Sequence, residues 1–370
     1  MSIPTAVRER HLKSRESPTA FQQKKRNPHK PTTMKDILNH LIEHRTLSKE
    51  QAKEVLKNIA TGGYNQSQIA AFLTVYLMRS ITVEELGGFR EAMLELCVPV
   101  EIAEYDAMDL CGTGGDGKDT FNISTLASFI VAGAGQNVAK HGNTGVSSIC
   151  GSSNLLAYFG YEFTSDIDKI RKSLDEAGIC FLHAPLFHPA MKNVGPIRKE
   201  LGVKTFFNML GPMVNPSFPK KQLVGVFSLE LARLYAYLYQ EHEGNFSILH
   251  SLDGYDEISL TGDFKMISNS GEKLYSPAGI GLEKISADSI KGGGTVQESA
   301  EIFDAILKGK GTLSQNAVVL ANAAAALFTA DPSLDFESAL SKAEDSLLSG
   351  KALQVFTALV NPKTSISFSN

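Results

Sequence analysis

From Glu101 onward, short apolar runs alternate with Gly-rich turns and helical segments, and that alternation restricts the fold more than any other feature of the 370-residue chain. The runs fall at 108–111, 137–140, 179–183, 222–227 and 246–250. Strands separated by helix-length segments pair in parallel while the helices cover both faces, so the pattern predicts an α/β fold on a mostly parallel sheet. Two further runs, 265–268 and 273–277 around Asn269-Ser270-Gly271, predict a hairpin that ends the sheet. Helical spacing returns at 316–329 and 336–348, where the alanine run 321–326 suits close packing.

Residues 34 to about 100 follow a different rule. Ile37, Leu38, Leu41 and Ile42 form one apolar stripe, and Val55, Leu56 and Ile59 form another. Ser48 with Gln51 and Thr82 with Glu85 have capping-box spacing, and Gly62-Gly63 punctuates between helices. This predicts a small α-helical domain over 34–104, without paired carboxylates or His/Cys clusters, suited to packing, dimerisation or closing over another unit. The first 33 residues carry eight basic and two acidic side chains, a net +6 that leaves −10 on the rest of a chain of total charge −4. With Pro4, Pro18, Pro28 and Pro31 and little apolar periodicity, 1–33 is expected to be a flexible basic extension, a targeting leader or an upstream start before Met34.

Hydrophobic residues at 43% and charged residues at 21% exclude a disordered or collagen-like chain, and the acidic body argues against nucleic-acid and anionic-membrane partners. No stretch reads as the roughly 18 apolar residues of a membrane span, and no signal-like segment follows the basic start, so a cytoplasmic location is expected. Cys97, Cys111, Cys150 and Cys180 lack C-x-x-C spacing and read as reduced, packed thiols.

The chemistry concentrates where strands end. Cys111 to Asp116 (CGTGGD) follows an apolar run and precedes Asn122 to Thr125 (NIST), which opens the helical run 126–134. Consecutive glycines leave backbone N–H groups unshielded, and the next helix adds its own free N–H groups: this is a cradle for phosphate or pyrophosphate. It matches neither the dinucleotide fingerprint nor the Walker loop. Lys140 to Ser148 (KHGNTGVSS) repeats the arrangement one crossover later, with Lys140 as a point charge and Ser147, Ser148 and Ser152 as hydroxyl donors. Two such loops at neighbouring strand ends should converge on one anionic ligand. Asp256-Glu257 follows the run 246–250, and by itself an Asp-Glu pair in a strand-end loop reads as a solvated turn.

These residues resemble the anthranilate phosphoribosyltransferase family in three blocks: GTGGD with NIST at 112–125, KHGN with SS at 140–148, and HPAMKNVGPIRKELGVKTFFNMLGPMVNP at 188–216. The resemblance runs from about Met34 to the C-terminus. It implies transfer of a phosphoribosyl group from phosphoribosyl pyrophosphate (PRPP) to anthranilate in tryptophan biosynthesis, with inversion at C1 and no covalent nucleophile. Carried over residue by residue, Gly112, Gly115 and Asp116 contact PRPP, with Asp116 on the ribose hydroxyls. Thr120, Asn122, Ile123, Ser124, Thr125, Lys140, His141, Gly142, Asn143, Ser147, Ser148 and Ser152 complete its site. Gly112, Asn143, Arg198, His141 and His188 meet anthranilate, and Ser124, Asp256 and Glu257 hold metal, two Mg²⁺ ions per site.

The resemblance further implies a nucleoside phosphorylase-type fold. The helical domain takes a returning segment near 187–204, a large α/β domain spans 105–370, and a homodimer forms through the helices. Thr144 stands where many members carry arginine, and Ser153-Asn154 where Ala-Asp is common, which bears on packing of the phosphate loop. Asp253 is expected to shape a turn with Gly254, His183 to be structural, and Lys192, Lys199 and Lys204 to be solvated or to lie behind the site. A pyrimidine nucleoside phosphorylase, or a noncatalytic relative binding nucleic acid through 1–33, remains an alternative reading.

Overall fold

The computed structural model describes residues 33–145, 149–241 and 243–361. Four helices come first: α1 (Met34–Ile42), α2 (Lys49–Ala60), α3 (Gln66–Met78) and α4 (Val83–Glu95). Both expected capping boxes form, and Thr33 with Asp36 and Asn65 with Gln68 add two more, so a side chain satisfies free N–H groups at each of these four helix starts. Glu85 does more than cap. Its fully buried carboxylate accepts from the Leu47 N–H at 2.9 Å, the Tyr76 hydroxyl at 3.0 Å and the Thr82 N–H at 3.0 Å, and pairs with Arg79, tying the α1–α2 loop, α3 and α4 together. Of the two expected stripes, Ile37, Leu41, Val55, Leu56 and Ile59 are buried, but Ile42 is 64% exposed at the last position of α1, where no neighbour covers it.

The chain then alternates as β1 (Met108–Gly112), α5 (Ile123–Gly133), β2 (Val138–Gly142), α6 (Ser152–Tyr158), α7 (Ile167–Ala177) and β3 (Ile179–His183). The short helices α8 (Ala184–Phe187), α9 (Gly195–Leu201) and α10 (Phe207–Leu210) lead to β4 (Lys221–Gly225), α11 (Leu229–Tyr239) and β5 (Asn245–Ser251). The hairpin β6 (Phe264–Ser268) and β7 (Gly271–Tyr275) precedes α12 (Val296–Leu307), α13 (Leu313–Ala330), α14 (Phe336–Leu348) and α15 (Lys351–Val360).

The seven strands lie in the order β3-β2-β1-β4-β5-β6-β7, parallel through β5 and antiparallel in the terminal hairpin. Chain order reverses between β1 and β4, so the carboxyl ends of the central strands flank the crevice where open sheets bind ligands. β1 and β4 run in register from Met108 opposite Lys221 to Gly112 opposite Gly225. β1 and β2 register at Met108 opposite Val138, and beyond that the Asp109 carboxylate stands in for a ladder partner, accepting the His141 N–H at 3.1 Å.

One sheet face buries Met108, Leu110, Val138, Leu223 and Leu249 with residues of α5, α13, α14 and α15. The other buries Val224, Val226, Phe246 and Ile248 with α11 and the four-helix bundle, and Val194, Ile197 and Phe206 join this second core. The α13 helix corrects the expectation that no stretch has the length of a membrane span: its 18 residues have mean hydropathy 1.3. Val318 to Leu327 are buried in the protein core, where the small alanines admit α5 and α14 at close range.

Candidate active site

A cavity of about 320 Å³ opens at the strand ends. Gly112, Gly115, Asp116, Thr120, Asn122, Ser124, Thr125, Lys140, His141, Gly142, Asn143, Ser152, Arg198, Asp256 and Glu257 all line it. Ile123 and His188 do not. The Ile123 side chain is buried in the core beneath α5, and His188 sits behind His141, ring centroids 5.2 Å apart. Ser147 and Ser148 lie outside the described residues.

Backbone shape builds the floor. Gly114, Gly115 and Gly117 have φ of +62°, +79° and +72°, the left-handed region that side chains disfavour. At the ends of β1 and β4 the constraint is space: a Cβ on Gly112 would stand 2.5 Å from Asp256 Oδ2, and one on Gly225 would stand 1.4 Å from the Asp256 carbonyl oxygen. The two strand ends thus press the Asp256-Glu257 loop against the glycine loop.

The Gly114 N–H donates to Asp256 Oδ2 at 2.7 Å, and the Ser124 N–H at the start of α5 donates to Glu257 Oε1 at 3.0 Å. Burial, and then the Asp116 carboxylate beside it, push Asp256 up to about 7. Burial followed by Asp256 and Asp116 raises Glu257 well above the usual carboxylate range. Burial and repulsion by neighbouring carboxylates thus make both carboxyls of the pair resist ionisation. Among the described residues no three His, Cys, Asp or Glu side chains form a ready-made metal cage. The Ser124 hydroxyl lines the same space.

Lys140 is buried, and its ammonium donates to the Leu110 carbonyl at 2.5 Å; desolvation lowers its pKa while Asp109 and Glu257 oppose that. His141 Nδ1 lies 3.2 Å from the Gly211 carbonyl, and burial lowers its pKa to about 3. Burial lowers His188 to about 4, and the Val214 backbone opposes that. Both rings are neutral at physiological pH. On the opposite wall, Arg198 of α9 donates to Asn208 Oδ1 at 3.2 Å, and its guanidinium lies 5.3 Å from the Phe207 ring centroid. That stacking aims a planar fork into the cavity.

The structure adds residues that sequence reasoning left aside. Phe207, Asn208 and Cys150 line the cavity, and Lys204, expected to be solvated or behind the site, reaches the Gly115 carbonyl. No local pattern marks Asn208 or Lys204, because their partners lie on other elements. Asn154, one of the departures, clamps the second loop: its Oδ1 accepts the Gly145 N–H at 2.8 Å and the Gly151 N–H at 3.1 Å. His183 accepts from or donates to Ser153 Oγ at 2.9 Å, and Asp253 accepts from the Thr261 hydroxyl.

Comparison with known proteins agrees with this geometry. Residues 104–353 match the model of the glycosyl transferase family a/b domain, and residues 35–97 that of its helical bundle domain. The anthranilate phosphoribosyltransferase of Flavobacterium psychrophilum is 63% identical over 326 residues, covering 88% of this chain and 98% of its own. That of Christiangramia forsetii is 61% identical with the same coverage. The crystal structure of the enzyme from Thermus thermophilus superposes with TM-score 0.81 at 31% identity, covering 87% of this chain and 98% of that one. The Saccharomyces cerevisiae enzyme in complex with PRPP and Mg gives TM-score 0.82 at 27% identity, covering 90% and 98%. High identity along nearly the whole length of these relatives decides against a nucleoside phosphorylase or a noncatalytic nucleic-acid binder. The chain belongs to the anthranilate phosphoribosyltransferases, glycosyltransferases of tryptophan biosynthesis.

Proposed function

We propose that the cavity holds PRPP with its diphosphate on the N–H groups of the glycine loop and α5, flanked by Lys140, Asn122, Thr125 and Ser152. Asp116 takes the ribose hydroxyls. The observation that carries this reading is the convergence of free loop N–H groups, a buried lysine and the Asp256/Glu257 pair in one cavity facing Arg198. Ser124, Asp256 and Glu257 would hold two Mg²⁺ ions, and the yeast relative's complex with PRPP and Mg supports magnesium here. When bound, Mg²⁺ supplies positive charge to the departing diphosphate.

Arg198 pairs the anthranilate carboxylate, and Gly112, Asn143 and His141 line the approach of the amine, with His188 supporting His141 from behind. The yeast relative's complex with 4-fluoroanthranilate supports an aromatic acid at this wall. The amine lone pair forms the N–C1 bond as the C1–O bond to pyrophosphate breaks, the leaving group departs with the bonding pair, and the extra proton on nitrogen passes to the departing diphosphate or to solvent. The loop N–H groups and Lys140 stabilise the charge that develops on it. Holding both substrates in line accounts for the rest of the acceleration, so no nucleophilic side chain is needed.

The chain divides into a helical unit, 34–104 with the returning segment 187–204, and an α/β unit over 105–370, with the cleft between them. Burial of Val194 and Ile197 in the core of the bundle supports that division. The exposed apolar side chains of Ile42, Leu77 and Met78 on α1 and α3 support a homodimer through the bundle. The deciding experiment is loss of anthranilate fluorescence on mixing protein, anthranilate, PRPP and Mg²⁺. Loss that needs all three and stops with chelator is the expected result; no loss in folded protein would overturn the reading.

A further inference from the structure

Lys204 follows α9 on the segment that carries Arg198, and its ammonium donates to the backbone carbonyl of Gly115 across the cavity mouth. Its stem lies over the same residue, with Cε 3.3 Å from where a Gly115 Cβ would stand. Lys204 itself is not part of the cavity wall, whereas Gly114 to Gly117 are. A trans peptide points its C=O and its N–H in opposite directions. Drawing the Gly115 oxygen toward Lys204 therefore turns the Asp116 N–H away from Lys204.

That orientation needs an external hold. Gly114, Gly115 and Gly117 offer little steric resistance to a peptide flip, and all three sit at positive φ. Gly114 and Lys118 spend their N–H groups on Asp256 and Asp116, at 2.7 and 3.1 Å. The N–H groups of Gly115, Asp116 and Gly117 have no protein partner among the described residues. We propose that Lys204 is a positioning residue that fixes the Gly115–Asp116 peptide with its N–H facing the diphosphate cradle. It thereby ties the state of the cradle to the placement of the Arg198 segment. Occupation of Arg198 by a carboxylate then favours diphosphate binding on the far wall, and the reverse, because both ligands prefer the arrangement this contact joins.

The inference rests on the reading that the glycine loop receives the diphosphate, and the test separates the two. Full-length wild type, Lys204→Met, Lys204→Arg and Asn122→Ala are titrated with inorganic pyrophosphate and Mg²⁺ by calorimetry, and KM for PRPP and for anthranilate is measured for each. Lys204→Met should weaken pyrophosphate about tenfold and raise the PRPP KM similarly, with kcat changed by no more than about twofold, and Lys204→Arg should recover most of the loss. Because Lys204 is exposed, melting temperature should stay at the wild-type value. The affinity ratio should persist from low to high salt, since a hydrogen-bonded peptide orientation is not screened as a distant charge is. A ratio that collapses in salt, or a loss that arginine does not rescue, overturns the positioning role. Wild-type binding by Lys204→Met with impaired Asn122→Ala overturns it alone; wild-type binding by both overturns the site reading as well.

Discussion

Gly225 carries no functional group, yet it decides where Asp256 and Glu257 stand. With the Asp256 carbonyl oxygen 1.4 Å from its would-be Cβ, Gly225→Ala must push the acidic loop away from β4. A loss of about 2–4 kcal/mol of stability is expected by urea titration, with metal-dependent activity falling further than stability alone explains. On the proposed placement of anthranilate, Arg198→Ala should raise the KM for anthranilate at least about tenfold and act on the PRPP KM only through the smaller coupling between the two walls. The neutral histidines predict a pH effect. Burial holds His188 near 4 in the fold, against 6.5 when exposed, so its contribution to stability is complete above pH 6.5 and is lost as pH falls toward 4. His188→Gln should therefore lose about 2 kcal/mol less than wild type on going from about pH 8 to about pH 5, read from denaturation at both.

At the scale of elements, helix starts were legible because caps act within four residues. Ser48 with Gln51 and Thr82 with Glu85 form the boxes their spacing implies. Nothing in that spacing revealed that Glu85 would also bind Leu47, Tyr76 and Arg79, partners brought by packing of α3 and the α1–α2 loop. Glu85→Ala should cost about 3–5 kcal/mol, well beyond the ~1 kcal/mol of a lost cap, because it strands a half-buried arginine and the Tyr76 hydroxyl. Thermal melts of Glu85→Ala beside Thr82→Ala separate the two contributions. The apolar length of α13 passes for a membrane span that the sequence reading did not find, and its burial between the sheet, α5 and α14 accounts for that apolar length.

For the whole molecule, the sheet order joins what the chain separates. Residues 112–125, 140–145, 150–152 and 256–257 meet because β1, β2 and β5 end on one edge, while Arg198 arrives from the opposite core. If helical unit and α/β unit close over ligand, PRPP with Mg²⁺ should raise the melting temperature, and chelation should abolish that increase without changing the melting temperature of the free protein. Replacing Met78, 82% exposed on α3, with glutamate should halve the solution mass measured by light scattering if the bundle forms the dimer.

The sequence alone determined the strand and helix alternation, the two glycine loops and the acidic pair, because periodicity, glycine freedom and caps are local properties carried by neighbouring residues. Tertiary structure decided the rest: His188 behind His141, Ile123 in the core, Asn154 as a loop clamp and Lys204 on the Gly115 carbonyl. Each of these depends on which remote backbone a side chain faces, and that is set by strand order and crossover geometry, which act across the whole fold.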